Sequence, residues 1–255
     1  MESSVPASIA DVPILEGRTV LDELNHRIKN ELASVINLVT LKAVWIENVD
    51  AKEELGNIVD LLHQHIEVHN LLTMPDNDAL VDAGERLRKL GLAMSRCKLE
   101  RMNIRLRLLA DTLPLQAERC WRLALAIYEL VTNAVRHACF DGRQGEIKIE
   151  LMRAGAWVNC RVSDNGSGLG RLGVGRGLRI VGELANSLGG RLDRTSSPAW
   201  NSFSLDFPMT QREQRANRTV AARRPRTGRR RTMPTALPAP AAREHANPIA
   251  TRSHP

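Results

Sequence analysis

Three groups of residues have types and spacings suited to chemistry. The first is His26. Advancing about 100° per residue along a helix whose apolar stripe runs through Leu21, Leu24, Ile28, Leu32 and Val35, His26 falls about 150° from the stripe. It faces outward, with Asp22, Glu23, Lys29 and Asn30 one turn to either side. Alone it would be an ordinary surface histidine. The second group lies on a strongly apolar segment, where Glu129, Asn133 and Arg136 fall within about 60° of one another, opposite Leu123, Ile127, Leu130, Val131 and Ala134. A carboxylate and a carboxamide one turn apart are hard oxygen donors that suit Mg²⁺, and Arg136 with His137 adds positive charge for a phosphate chain. The bland alternative is a solvated helix face. The third group is Asp164-Asn165-Gly166-Ser167-Gly168 after a strand, then Gly173-Val174-Gly175-Arg176-Gly177-Leu178 opening a helix. Glycines at a helix start let backbone amides approach phosphate oxygens, and Asp164 at a strand end can accept from an exocyclic amine such as adenine's. Asn165-Gly166 alone would be a hairpin turn. The specificity lies in the order of all three groups.

The elements that must position these groups follow from periodicity. Apolar residues at spacings of three and four from Arg18 to about Asn48 predict one long helix, and Leu55, Ile58, Leu62, Ile66 and His69 predict a second after the polar connector Glu47 to Ala51, ended by Pro75-Asp76-Asn77. Two such helices form an antiparallel hairpin with one open apolar face, which implies a four-helix bundle across a dimer. Beyond it, helices are expected at Val81–Lys98, Gln116–Cys139 and Leu178–Leu188, and strands at Asn103–Ala110, Glu146–Arg153, Trp157–Ser163, Arg191–Thr195 and Ser202–Phe207. This pattern is an α+β sandwich, one mixed sheet covered by helices on one face. The expected organisation is a short N-terminal segment (1–16), the hairpin (17–77), the α+β domain (78–209) and a tail (210–255).

Composition narrows the class. The chain has 255 residues, 43% hydrophobic and 25% charged, which is enough for one large or two small domains. No apolar run approaches the roughly 20 residues of a membrane span, and no secretory leader is legible. Cys97, Cys120, Cys139 and Cys160 are too far apart for a metal clamp or redox dithiol and read as buried thiols in a cytoplasmic protein. The net charge of +7 belongs to the tail: residues 211–255 hold eleven arginines, no lysine and two acids, and the remainder is slightly acidic. With six of the twelve prolines after Thr210 and few large apolar residues, the tail reads as disordered. It could touch nucleic acid, but lacks aromatic residues for base stacking. His63, His65 and His69 flank the stripe of the second helix and read as packing residues, and Trp45, Trp121, Trp157 and Trp200 as core.

The ordered set resembles the sensor histidine kinases of two-component systems. Leu24-Asn25-His26-Arg27-Ile28-Lys29-Asn30-Glu31-Leu32 is similar to the His-Arg-x-Lys-Asn phosphoacceptor box of the HWE-like branch and its close relatives. Glu129-Leu130-Val131-Thr132-Asn133-Ala134-Val135-Arg136-His137-Ala138 resembles the asparagine box, and the glycine segments resemble those of the GHKL (Bergerat) ATP-binding domain shared with gyrase, Hsp90 and MutL. Tyr128 stands where strict HWE kinases have histidine, Val162-Ser163-Asp164 replaces their Trp-x-Glu, and only Leu169 to Leu172 separate the glycine segments, a short lid.

The resemblance implies that His26 accepts the phosphoryl group, with Glu129 and Asn30 serving the transfer. Asn133 holds Mg²⁺, Asp164 reads adenine, and Arg136, His137, Gly166, Gly168, Gly173, Gly175 and Gly177 border the nucleotide. Asp22, Glu23 or Glu129 is expected to orient the imidazole, because Arg27 stands where many histidine kinases place an acid. The implied partners are a response regulator receiver domain, a second copy of the chain and a separate sensory protein, since few residues precede the hairpin. The alternative is a phosphotransfer or scaffold protein with a degenerate ATP site.

Overall fold

The computed structural model describes residues 12–75, 77–140, 142–167, 175–197 and 199–223. Helix α1 (Val12–Val44) and helix α2 (Val49–Leu71) form the antiparallel hairpin. α1 begins earlier than the periodicity indicated. The connector is short because Asn48 caps α2, its Oδ1 accepting from Ala51 N at 3.0 Å. Among the described side chains of the hairpin only Ile36 and Val68 are buried apolar residues, so one face is left open.

After the hairpin come strand β1 (Leu80–Asp82), helix α3 (Ala83–Met94), a π turn and a 3₁₀ turn through Met102, strand β2 (Ile104–Ala110) and strand β3 (Pro114–Gln116). Helix α4 (Ala117–His137), strands β4 (Gly145–Ala154) and β5 (Trp157–Asp164), helix α5 (Arg176–Ser187), strands β6 (Arg191–Ser196) and β7 (Asn201–Pro208) and helix α6 (Gln211–Arg223) complete it. The main sheet has the order β2-β4-β5-β7-β6, with β2 parallel to β4 and the other pairs antiparallel. Alternation decides which face is covered. Ile147, Ile149 and Leu151 of β4, Val158, Cys160 and Val162 of β5, and Phe203, Leu205 and Phe207 of β7 are buried, and α3, α4 and α5 pack on that side. The α+β sandwich expected from the sequence is thus present. β1 and β3, which form a separate two-stranded ladder, were not anticipated.

Three expectations need correction. The chain from 210 onward is not all tail: α6 packs on the α+β domain. Its inner face is polar, which is why composition missed it. Glu213 is fully buried, accepting from Arg119 Nε and Gln116 N at 3.0 Å each and from Thr210 N at 2.8 Å. Asn217 donates to Pro114 O and Glu213 O, both at 2.8 Å. Residues 224–255 lie outside the described ones. Next, Cys139 is exposed, whereas Cys97, Cys120 and Cys160 are buried, with burial pushing the Cys120 and Cys160 thiols up to about 12. Finally, Trp45 and Trp157 are surface residues, while Trp121 is half-buried and donates its Nε1 to Leu72 O at 2.8 Å.

Candidate active site

The site is built where α4, the end of β5 and the start of α5 meet. α4 has a well-separated apolar face, with Leu123, Ala126, Ile127, Leu130 and Val131 against the sheet, and this fixes its rotation. Asn133 and His137 are thereby turned toward a cavity lined also by Leu130, Ala134, Ala138, Val162, Asp164, Leu178, Asn201 and Phe203.

Close approach of α5 brings the second and third groups together. A Cβ on Gly177 would stand 3.0 Å from Glu129 Oε2 and 3.1 Å from both side-chain polar atoms of Asn133. Glycine at this position lets the start of α5 lie directly on the carboxylate and the carboxamide. Gly175 is the N-cap of α5 and has no side chain to occupy the exposed amides. Asn133 Nδ2 is buried without a partner among the described residues, so its carboxamide keeps bonding capacity at the cavity wall. That fits a site completed by a polar ligand, and with Glu129 beside it the donor set is chemically suited to Mg²⁺.

Asp164 also lines the cavity. It is buried, and burial pushes its carboxyl above the ordinary value, opposed by hydrogen bonds from Asn201 and from Gly166 N, the latter at 3.0 Å. Gly166 is required where it sits, since a Cβ there would lie 2.5 Å from that of Ala138. Arg136 is exposed and is not among the cavity-lining residues, unlike His137 beside it. Gly168, Gly173 and the short lid lie outside the described residues. Asn201 was not singled out from the sequence. Its signal is a carboxamide at an inward strand position, in register with Phe203, Leu205 and Phe207.

His26 stands apart from this cavity, on the exposed face of α1 as expected. The Asn30 side-chain amide meets its Nδ1 at 3.2 Å. Glu23 is engaged elsewhere: its carboxylate pairs with Arg27 Nε at 2.8 Å, and that hydrogen bond holds its pKa below the ordinary value. The charge of His26 is a lesser cause of that lowering. Nothing is described of the Asp22 side chain. None of the cavity-lining residues comes from α1 or α2. Among the described residues there is no cluster of three metal-ligating side chains. The packing role expected of the second-helix histidines is met only in part, because His63 and His65 are exposed and His69 is half-buried. Nor is any described helix long and apolar enough to cross a membrane.

The chain is similar to known proteins. Blue-light-activated histidine kinase 2 of Erythrobacter litoralis (strain HTCC2594) is 25% identical over 207 residues, which is 76% of this chain and 58% of that protein. Sensor histidine kinase PdtaS of Mycobacterium tuberculosis is 29% identical over 222 residues, 86% of this chain and 42% of that one. The chain thus spans about half the length of these curated relatives. Among solved structures, the histidine kinase domain of the Erythrobacter litoralis EL346 blue-light-activated kinase superposes with a TM-score of 0.50 at 22% identity, covering 72% of this chain and 98% of that domain, a likeness of fold. Residues 121–211 match the family described as histidine kinase-, DNA gyrase B- and HSP90-like ATPases. Because residues 23–98, which carry His26, match the family described as histidine kinase, and the ATPase segment follows in the same chain, this protein belongs to the histidine kinases.

Proposed function

We propose that the protein is an ATP-dependent histidine kinase that phosphorylates itself on His26 and passes the phosphoryl group to an aspartate of a response regulator receiver domain. The observation that carries this reading is the meeting of Glu129, Asn133 and Gly177 at the start of α5, beside a cavity that Asn133 and Asp164 both line. Asp164 accepts the exocyclic amine of adenine, and Gly175 and Gly177 leave the start of α5 open to phosphate oxygens. His137 and Arg136, with Gly166, Gly168 and Gly173, border the nucleotide. Asn133 Oδ1, with Glu129 beside it, is the group to hold Mg²⁺, which when bound neutralises phosphate charge.

In the transfer, His26 Nε2 attacks the γ-phosphorus, the bond to the bridging oxygen breaks and ADP leaves. Turning over the Asn30 amide, whose Nδ2 meets His26 Nδ1 at 3.2 Å, lets its oxygen accept from an Nδ1–H and leaves the Nε2 lone pair outward; in that orientation Asn30 orients the acceptor. Since His26 lies outside the cavity, transfer requires the α+β domain to move onto its own hairpin or onto that of a second copy. The open apolar face of α1 and α2 supports a homodimer joined as a four-helix bundle. The site of action is the cytoplasm, with the input signal supplied by another protein or by further sequence.

The test is incubation with Mg²⁺ and ATP labelled on its γ-phosphate. Acid-labile, base-stable label is expected on the wild type and on neither His26→Ala nor Asn133→Ala. An unlabelled wild type whose His26 still accepts phosphate from a phosphorylated regulator would make the protein a phosphotransfer protein instead.

A further inference from the structure

Asn201 opens β7 in line with the buried Phe203, Leu205 and Phe207, and is paired across the ladder with Asp164 at the end of β5. An amide at the head of an apolar row is costly to bury unless its polar atoms are engaged. Its Nδ2 donates to Asp164 Oδ1 at 3.1 Å and to Gly166 O at 2.7 Å, and its Oδ1 accepts from Ser196 Oγ at 3.2 Å. These partners fix which way the amide faces, because turning it over would set its oxygen against a carboxylate and a carbonyl. The consequence is felt at Asp164. Gly166 N also donates to Oδ1, at 3.0 Å, so among the described residues both donors converge on one oxygen and Oδ2 receives none.

We propose that Asn201 is a positioning residue for purine selection: it anchors Asp164 through Oδ1 and so leaves Oδ2 to the cavity as a pure acceptor, which pairs with the amine of adenine and rejects the carbonyl of guanine. This rests on the reading of Asp164 as the purine-binding carboxylate, and adds the residue that keeps that carboxylate in its accepting state. The electrostatics agree, since burial favours the protonated form of Asp164 and the Asn201 bond opposes it. A protonated carboxyl would itself be a donor and would tolerate the guanine carbonyl. The surroundings offer little other control. His137 on α4 is the one other titratable side chain among the described residues lining the cavity, α5 contributes Leu178, and the strand position opposite Asp164 on β4 is Ile147.

The experiment is equilibrium titration of the full chain with Mg-ATP and Mg-GTP between pH 5 and pH 8, for wild type, Asn201→Ala and Asp164→Asn. Loss of one hydrogen bond to a charged group predicts that Asn201→Ala binds ATP about tenfold more weakly at pH 7. Its acid limb should move to higher pH, and its preference for ATP over GTP should narrow. Equal weakening toward both nucleotides with an unmoved acid limb would reduce Asn201 to a structural residue and overturn the proposal. Undiminished ATP binding by Asp164→Asn would instead overturn the assignment of Asp164, a separate outcome. Asn201→Leu, close in volume and matched to the apolar row, takes the place of the alanine variant if that variant fails to fold.

Discussion

The two halves of the molecule solve the burial problem differently. In the α+β domain Leu123 and Ile147 are fully buried and Leu205 is 1% exposed, while on the hairpin Leu38, Leu41 and Trp45 stand at 58%, 61% and 82%. The first unit excludes water from its own core. The second presents apolar surface that only another surface can cover, at about 1.5–3 kcal/mol for each large side chain. The difference suits the proposed function, in which one part holds a nucleotide and the other offers the exposed His26 imidazole first to ATP and then to a receiver domain. It teaches that stability and reactivity have been placed on different elements, with α2 and its junction to α3 as the joint between them.

The largest effect that would sharpen this contrast is at the polar closure of the α+β domain. Glu213 is fully buried against Arg119, whose Nη2 also donates to Pro208 O at 2.6 Å. Removing one partner of a buried ion pair leaves an uncompensated charge, which costs about 3–5 kcal/mol. Arg119→Met should therefore lower the urea midpoint of the domain strongly. Truncation after Thr210 should do likewise, whereas truncation after Arg223 should change little. Equal stability of all three with the wild type would mean that α6 is no part of the closed unit, and the contrast between the two halves would weaken.

Second comes the open face. If a second copy covers it, Leu38→Glu with Leu41→Glu should weaken self-association by about 100-fold, read by sedimentation, with helix content and ATP binding retained. A wild type that sediments as a monomer at all concentrations would break the comparison from the other side, because the hairpin would then tolerate its exposed face alone.

What the sequence disclosed follows the same division between local and distant causes. The hairpin, α4, α5 and the five strands of the main sheet were legible because their patterns repeat over adjacent residues. Glu129, Asn133 and Gly177 could be placed because helix rotation follows from the apolar stripe and a helix start from its glycines. α6 was not legible, because Glu213 is satisfied by Arg119 and Gln116, far away in the chain, and a polar inner face has no hydrophobic period. Asn201 was missed for a related reason: its partner Asp164 is adjacent only through the β5–β7 ladder. β1 and β3, at three residues each, are too short to show alternation. Trp45 misled because residue type alone does not tell a buried tryptophan from one at the tip of a hairpin.

The smallest effect concerns the joint itself. Arg86 Nη2 donates to Leu71 O at 2.7 Å and Trp121 Nε1 to Leu72 O at 2.8 Å, so the α+β domain grips the end of α2. Just before that grip lies His69, whose Nδ1 is buried without a partner among the described residues, in a groove shared with Leu32, Leu62, His65, Val68, Leu72 and Tyr128. Burial first, and the charge of Lys29 second, hold its pKa below the ordinary 6.5. The folded state therefore prefers the neutral imidazole and the unfolded state binds the proton more readily. The stabilisation is present above about pH 6.5 and is lost as pH falls through the depressed folded value. Hydrogen exchange in the last turn of α2 should accordingly quicken between pH 7.5 and pH 5.5, after correction for the intrinsic rate, and His69→Leu should flatten that dependence. A pH response that persists in His69→Leu would assign it to another group, and would leave the joint governed by the Arg86 and Trp121 bonds.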